Sequence, residues 1–203
     1  MTERRGLLVD WGGVLTTDVF ASFRAFCEAE GLAPDTVRDL FREDPRARDA
    51  LAGLETGALD RDAFEREFAG LLGVEPDGIV ERLFGAIGPD EAMVGAVRRA
   101  RAAGLRTGLL SNSWRAEDYD RDLLEELFDA WVISGEVGLR KPDPAIYELA
   151  AERLGLAPDA IVYVDDLPGN LKPARALGMA TIVHQRAEET LPEVEALLGV
   201  PLR

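Results

Sequence analysis

The chain has 203 residues, with 23 basic against 38 acidic side chains and a formal charge of −15 at neutral pH. Such a surface repels nucleic acid and anionic membranes over most of its extent, so neither is expected as a partner. A single cysteine, Cys27, excludes an intrachain disulfide and a thiolate metal cluster, and no apolar run reaches the length of a membrane span.

Met1-Thr2-Glu3-Arg4-Arg5 lacks the shape of a signal peptide, and a cytoplasmic location is expected. The apolar run Leu7 to Val9 has no polar alternation and reads as a strand buried on both faces of a parallel sheet. It ends in Asp10, then Trp11 and the glycines Gly12 and Gly13, which bring backbone close to a ligand. An acid at the carboxyl end of such a strand stands where open α/β sheets place their ligands. Trp11 reads equally as core or as a wall of the pocket.

From Thr17 to Gly88 the periodicity is helical. Val19, Phe20, Phe23 and Phe26 form one face, Val37, Leu40 and Phe41 a second, and a third segment runs from Arg46 to Leu54. A fourth carries Phe64, Phe68, Leu71 and Leu72, and a fifth Ile79, Val80, Leu83 and Phe84. No strand intervenes, so residues 17–88 are expected to form a small helical bundle inserted after the first strand. Phe20, Phe23, Phe64 and Phe68 read as its core rather than as a lipid site.

From Pro89 onward helices and strands alternate. Strands are expected at Leu105 to Leu110, Ala130 to Ile133, Ile161 to Val164 and Ala180 to Val183. Helices fall at Glu91 to Ala103, Leu123 to Phe128, Pro144 to Leu154, Asn170 to Leu177 and Glu188 to Leu198. This alternation gives an α/β fold with a doubly wound parallel sheet. The core domain comprises 1–16 and 89–203.

In a parallel sheet all carboxyl ends share one edge, so Asp10, Ser111-Asn112 and Asp165-Asp166 converge on one crevice. Lys141, one of two lysines, lies between Arg140 and Pro142 in a stretch stiffened further by Pro144. Clustered carboxylates without nearby His or Cys suit a hard cation, Mg²⁺. Mg²⁺ with Lys141, Ser111 and adjacent N–H groups makes a pocket for a dianion, as phosphoryl transfer requires, and Asp10 is its natural nucleophile. A small phosphorylated substrate follows. His184, the sole histidine, has no G-x-S-x-G partner and reads as a strand-end residue without a chemical role. Trp114 and Arg115 follow Ser113 and are candidates for contacting the substrate's organic part.

Asp10 with Gly12-Gly13-Val14-Leu15, Leu110-Ser111-Asn112, Lys141-Pro142 and Val164-Asp165-Asp166 with Asn170 match, in order, the four motifs of the haloacid dehalogenase-like superfamily. Ser111 to Trp114, Gly138 to Tyr147 and Tyr163 to Val183 further resemble the N-terminal phosphatase domain of soluble epoxide hydrolase. The chain ends before an epoxide hydrolase domain is expected. The resemblance implies a Rossmann-like core with residues 17–88 as a cap over the catalytic edge. It implies Asp10 as aspartyl-phosphate nucleophile and Mg²⁺ ligand, with metal ligation also by the Gly12 carbonyl and Asp166. Asp165 and Asn170 would form the supporting shell. Ser111 and Lys141 would hold the phosphoryl group, with Gly13 and Asn112 beside them.

Gly12 departs from the pattern, because most phosphatases of the superfamily carry a second Asp there to protonate the leaving group and activate water. Loss of a positioned acid–base group costs about 10²–10⁴-fold in rate. Asp18 and Thr16 are the nearby substitutes. A fold-conserving binding or regulatory protein with little turnover is therefore the first alternative, and another hydrolase such as a dehalogenase the second. Residues 17–88 lack lysine, which argues against Schiff-base phosphonate cleavage, and metal-free dehalogenation leaves Asp165-Asp166 unexplained.

Overall fold

A computed structural model describes residues 3–113 and 119–203. Five parallel strands form one sheet in the order β3-β2-β1-β4-β5. They are β1 (Gly6–Val9), β2 (Arg106–Ser111), β3 (Ala130–Ile133), β4 (Ile161–Asp165) and β5 (Ala180–Val183). Leu8 pairs in register with Gly108 on one side and Tyr163 on the other, which makes β1 the central strand.

The alternating faces of these strands build two cores. Leu7, Val9, Leu109, Val162 and Val164 pack against α6 (Glu91–Ala102), α7 (Arg121–Leu127) and α11 (Ala187–Leu198). Leu8, Leu110, Ile161 and Tyr163 pack against α9 (Pro144–Leu154) and α10 (Pro168–Ala176). Burial on both faces is why β1 and β4 read as apolar runs up to their terminal acids.

The chain leaves this layer at Thr16 and returns at Pro89, where the two segments form an antiparallel bridge. Between them lie α1 (Val19–Ala29), α2 (Thr36–Glu43), α3 (Pro45–Thr56), α4 (Arg61–Leu72) and α5 (Ile79–Phe84). These helices share a separate apolar cluster, with Phe41 stacked on Phe68 at 4.8 Å and Phe68 on Phe64 at 5.2 Å. Aspartates 18, 44, 60, 90, 120 and 143 each accept a backbone N–H at a helix start. Part of the acidic charge is thus spent on helix caps, where the helix dipole favours it.

Two details differ from the periodicity. Ser134–Val137 forms a single helical turn, α8, too short to leave a periodic signature. α10 begins at Pro168, where the fixed proline φ suits a first helical position, so Asn170 lies in the first turn rather than at the start.

Candidate active site

Asp10, Ser111 and Asp165 stand at the carboxyl ends of the three central strands, and all three are buried. Lys141 arrives from the loop after α8, is 1% exposed, and follows the sheet edge into the same space. Its Nζ lies 2.8 Å from Asp10 Oδ1 and 2.8 Å from Asp165 Oδ2. The Lys141–Pro142 peptide is cis. Asn112 aims the lysine: its Oδ1 accepts Lys141 N–H at 2.8 Å and its Nδ2 donates to Lys141 O at 3.0 Å.

Asp165 is fully engaged. It accepts from Lys141 Nζ, from the Tyr163 hydroxyl, from Leu167 N–H at 2.8 Å and from Asn170 Nδ2 at 3.0 and 3.1 Å. Burial alone would raise this carboxyl, yet Lys141 and these donors hold it below its usual range. Burial would likewise lower the Lys141 ammonium, but the two carboxylates hold it above its usual range. Asp10 is pushed up to about 8, chiefly by burial, with Lys141 opposing and Asp165 adding to the rise. Asp166 is pushed up to about 6 by burial and by its neighbour Asp165, and it pairs with no cation among the described residues.

Asp10, Asp165 and Asp166 each offer an oxygen within 4.8 Å of the others. One lysine faces three carboxylates, and two of the three are pushed toward protonation. A hard divalent cation fits this all-oxygen, charge-rich set.

The structure adds detail to three sequence expectations. The Gly13 N–H is committed to Thr16 Oγ1 at 3.0 Å rather than offered to phosphate. Glycine is required there because a Cβ would lie 2.6 Å from Asp166 Oδ2, with φ at +70°. The Asn112 side chain is bound to the lysine backbone through both Oδ1 and Nδ2. The faces of Phe20, Phe23 and Phe64 are core, as read, but they also line a cavity of about 690 Å³ that runs from Asp10 and Lys141 into the helical insert; Phe68 stays in the core away from it.

Trp11 does both jobs left open for it, packing on the core and lining that cavity. Its ring meets Tyr119 edge-on at 4.9 Å, and the Tyr119 hydroxyl donates to Ser111 Oγ at 2.9 Å. Trp114 and Arg115 lie outside the described residues. His184 sits past β5, bonded to Thr190 Oγ1 at 2.9 Å, with its imidazolium disfavoured by burial. It does not line the cavity.

Sequence reasoning missed Tyr119, Tyr163 and the ion pair of buried Glu55 with half-buried Arg140. Tyr163 was legible only as strand core, and a glutamate in the last turn of an amphipathic helix carries no signal of burial.

The sequence model of the haloacid dehalogenase-like hydrolases matches residues 5–178, and the chain belongs to that hydrolase family. Acyl-CoA dehydrogenase family member 10 of Mus musculus is 41% identical over 112 residues, 54% of this chain and 10% of that protein. Bifunctional epoxide hydrolase 2 of Sus scrofa is 38% identical over 117 residues, again 54% of this chain but 21% of that protein. The match thus spans about half of this chain and no more than 21% of either relative. The sesquiterpene phosphatase of Aspergillus oryzae is 26% identical over 64% of this chain and 68% of its own length. A HAD family enzyme of Bacteroides thetaiotaomicron, crystallised with magnesium and inorganic phosphate, superposes with a TM-score of 0.68 at 22% identity, covering 90% of this chain and 94% of that one. That likeness establishes the shared fold.

Proposed function

We propose that this chain is a Mg²⁺-dependent phosphatase of a small phosphomonoester with an apolar organic part, acting through an aspartyl-phosphate, a mixed anhydride, on Asp10. The observation that carries the reading is Lys141, buried between Asp10 and Asp165 at the floor of a cavity whose other wall is mostly apolar. The magnesium and phosphate bound by the Bacteroides relative and the activity of the Aspergillus relative support it.

Asp10, Asp166 and the Gly12 carbonyl would hold the cation, and Asp165 would support them through its engaged oxygens. When bound, Mg²⁺ supplies charge neutralisation for the phosphoryl oxygens. Both described contacts to the Asp10 carboxylate, from Lys141 Nζ and from Trp11 N–H at 2.7 Å, fall on Oδ1, which leaves Oδ2 to attack phosphorus. Lys141 offsets the charge gathered on the transferring group, and Ser111, oriented by Tyr119, adds a neutral donor. Asn112 and Asn170 position Lys141 and Asp165. Residues 17–88 act as a cap, with the bridge at Thr16 and Pro89 as the junction. The substrate's organic part lies against Phe20, Phe23 and Phe64.

The test is hydrolysis of p-nitrophenyl phosphate with Mg²⁺, with a chelator, and with Asp10→Asn. Turnover that needs both the cation and Asp10 is expected. Activity equal to the Asp10→Asn background would refute the reading and favour a binding protein, the outcome to which Gly12 points.

A further inference from the structure

The phosphatase reading leaves one gap, the proton for the leaving group, because Gly12 has no side chain. The two substitutes near it in sequence do not fill the gap. Thr16 Oγ1 accepts from Gly13 N–H and donates to Thr17 O, so its proton is already placed. Asp18 caps α1 and pairs with Arg24, and its side chain is 55% exposed. The Tyr119 hydroxyl is pushed up to about 12 by burial and donates to Ser111.

Another acid enters the same cavity from the insert. Glu55, in the last turn of α3, is 8% exposed and lines the cavity together with Asp10 and Lys141. Among the described residues it is the only buried acid outside the Asp10–Asp165–Asp166 group. The end of α3 packs on α8 of the core, and a Cβ on Gly57 would lie 3.6 Å from Gly135 O, so Glu55 is anchored at the junction of the two units. Arg140, the residue before Lys141, binds Glu55 Oε2 through Nε at 2.8 Å and through Nη2. Both contacts fall on one oxygen, which turns Oε1 into the oxygen able to carry and deliver a proton.

We infer that Glu55 is the general acid–base residue of this site, supplied by the insert in place of the aspartate that Gly12 lacks. The assignment rests on the phosphatase reading. As Asp10 Oδ2 bonds to phosphorus and the P–O bond to the alcohol breaks, the Glu55 carboxyl proton passes to the departing oxygen. The Glu55 carboxylate then takes a proton from water as that water bonds to phosphorus and the Asp10 Oδ2–P bond breaks, releasing inorganic phosphate and restoring both side chains. The balance is one phosphomonoester and one water to one alcohol and one phosphate. Burial favours the proton-bearing form of Glu55 that the first step needs, against the opposing charges of Arg140 and Lys141.

The experiment compares kcat/KM for hexyl phosphate, whose alkoxide needs a proton to leave, with that for p-nitrophenyl phosphate, whose phenolate does not. Glu55→Gln should lower the hexyl value about 10²-fold and shift the ratio of the two esters by nearly as much. Glu55→Asp should fall between. A Cβ at Gly12 meets nothing closer than Val19 Cγ2 at 3.4 Å, so an aspartate fits there. The double variant Glu55→Gln/Gly12→Asp should therefore recover hexyl phosphate hydrolysis. Equal losses on both esters without recovery would make Glu55 a structural clasp and overturn the assignment, as would no loss on either. A wild-type protein inert toward both esters would instead refute the phosphatase reading itself, and this assignment with it.

Discussion

Lys141 Nζ donates to Asp165 Oδ2 at 2.8 Å inside a space where neither residue is more than 1% exposed. The same carboxylate is bound by a tyrosine hydroxyl, a backbone N–H and an asparagine amide, so it is satisfied before any ligand arrives. Its neighbour Asp166 has the opposite character, with no cationic partner among the described residues and a raised carboxyl. The two acids should thus separate in behaviour. Asp165→Ala leaves a buried ammonium half-compensated and should cost about 3–5 kcal/mol of folding stability. Asp166→Ala removes a repelling charge and should leave the urea midpoint unchanged or raised, while abolishing stabilisation by Mg²⁺. Equal losses of stability in the two variants would contradict this division.

Gly13 and Asp166 are in near contact, and the glycine stands at φ +70°. Gly13→Ala should act twice. The backbone would be strained by about 1 kcal/mol or more, and the added methyl would push the Asp166 carboxylate from its place. Calorimetric titration should show Mg²⁺ affinity falling by a larger factor than thermal stability explains. Retained affinity would place the cation away from Asp166.

The sheet and its polar edge were legible because doubly buried strands and strand-end acids leave direct traces, Leu7 to Asp10 and Ile161 to Asp165 among them. The five helices between Thr16 and Pro89, two residues that form an antiparallel bridge, were legible from periodicity. What was not legible depends on tertiary placement. Phe20 and Phe64 show the same pattern whether a helix face meets solid core or a cavity. Glu55 looks like any solvated helix residue until α3 meets α8. Gly13 signalled a close approach, but to a carboxylate rather than to phosphate.

Metal-free protein should lose stability as pH rises. Asp10 at about 8 and Asp166 at about 6 lie above the unfolded value of 3.8, so the folded state binds more protons across that interval. Where the folded state binds the extra protons, stability falls with increasing pH. Asp165 has the opposite sign, and its contribution is lost only as pH falls below the usual carboxylate range. Lys141 contributes until pH exceeds the usual ammonium range. Melting in chelator should therefore peak at about pH 4 and decline toward about pH 8. Mg²⁺ must displace these protons, so its apparent affinity should rise over the same interval with proton release detectable in buffers of different ionisation enthalpy. A flat melting profile with no released protons would show Asp10 and Asp166 already ionised.

The apolar cavity makes a quantitative demand on the substrate. Each methylene moved from water into it is worth about 0.8 kcal/mol, close to a fourfold gain in affinity per carbon. KM for linear alkyl phosphates should fall by about that factor per carbon until the chain fills the space, then level off. Leu51 lines the cavity from α3 and is only half-buried, so Leu51→Trp can fill part of the volume without displacing sealed core. That variant should shorten the chain length at which KM levels off and leave the shortest ester almost unaffected. A KM independent of chain length in the wild type would mean that the organic part leaves the site by another route, with the cavity remaining a feature of packing in the insert.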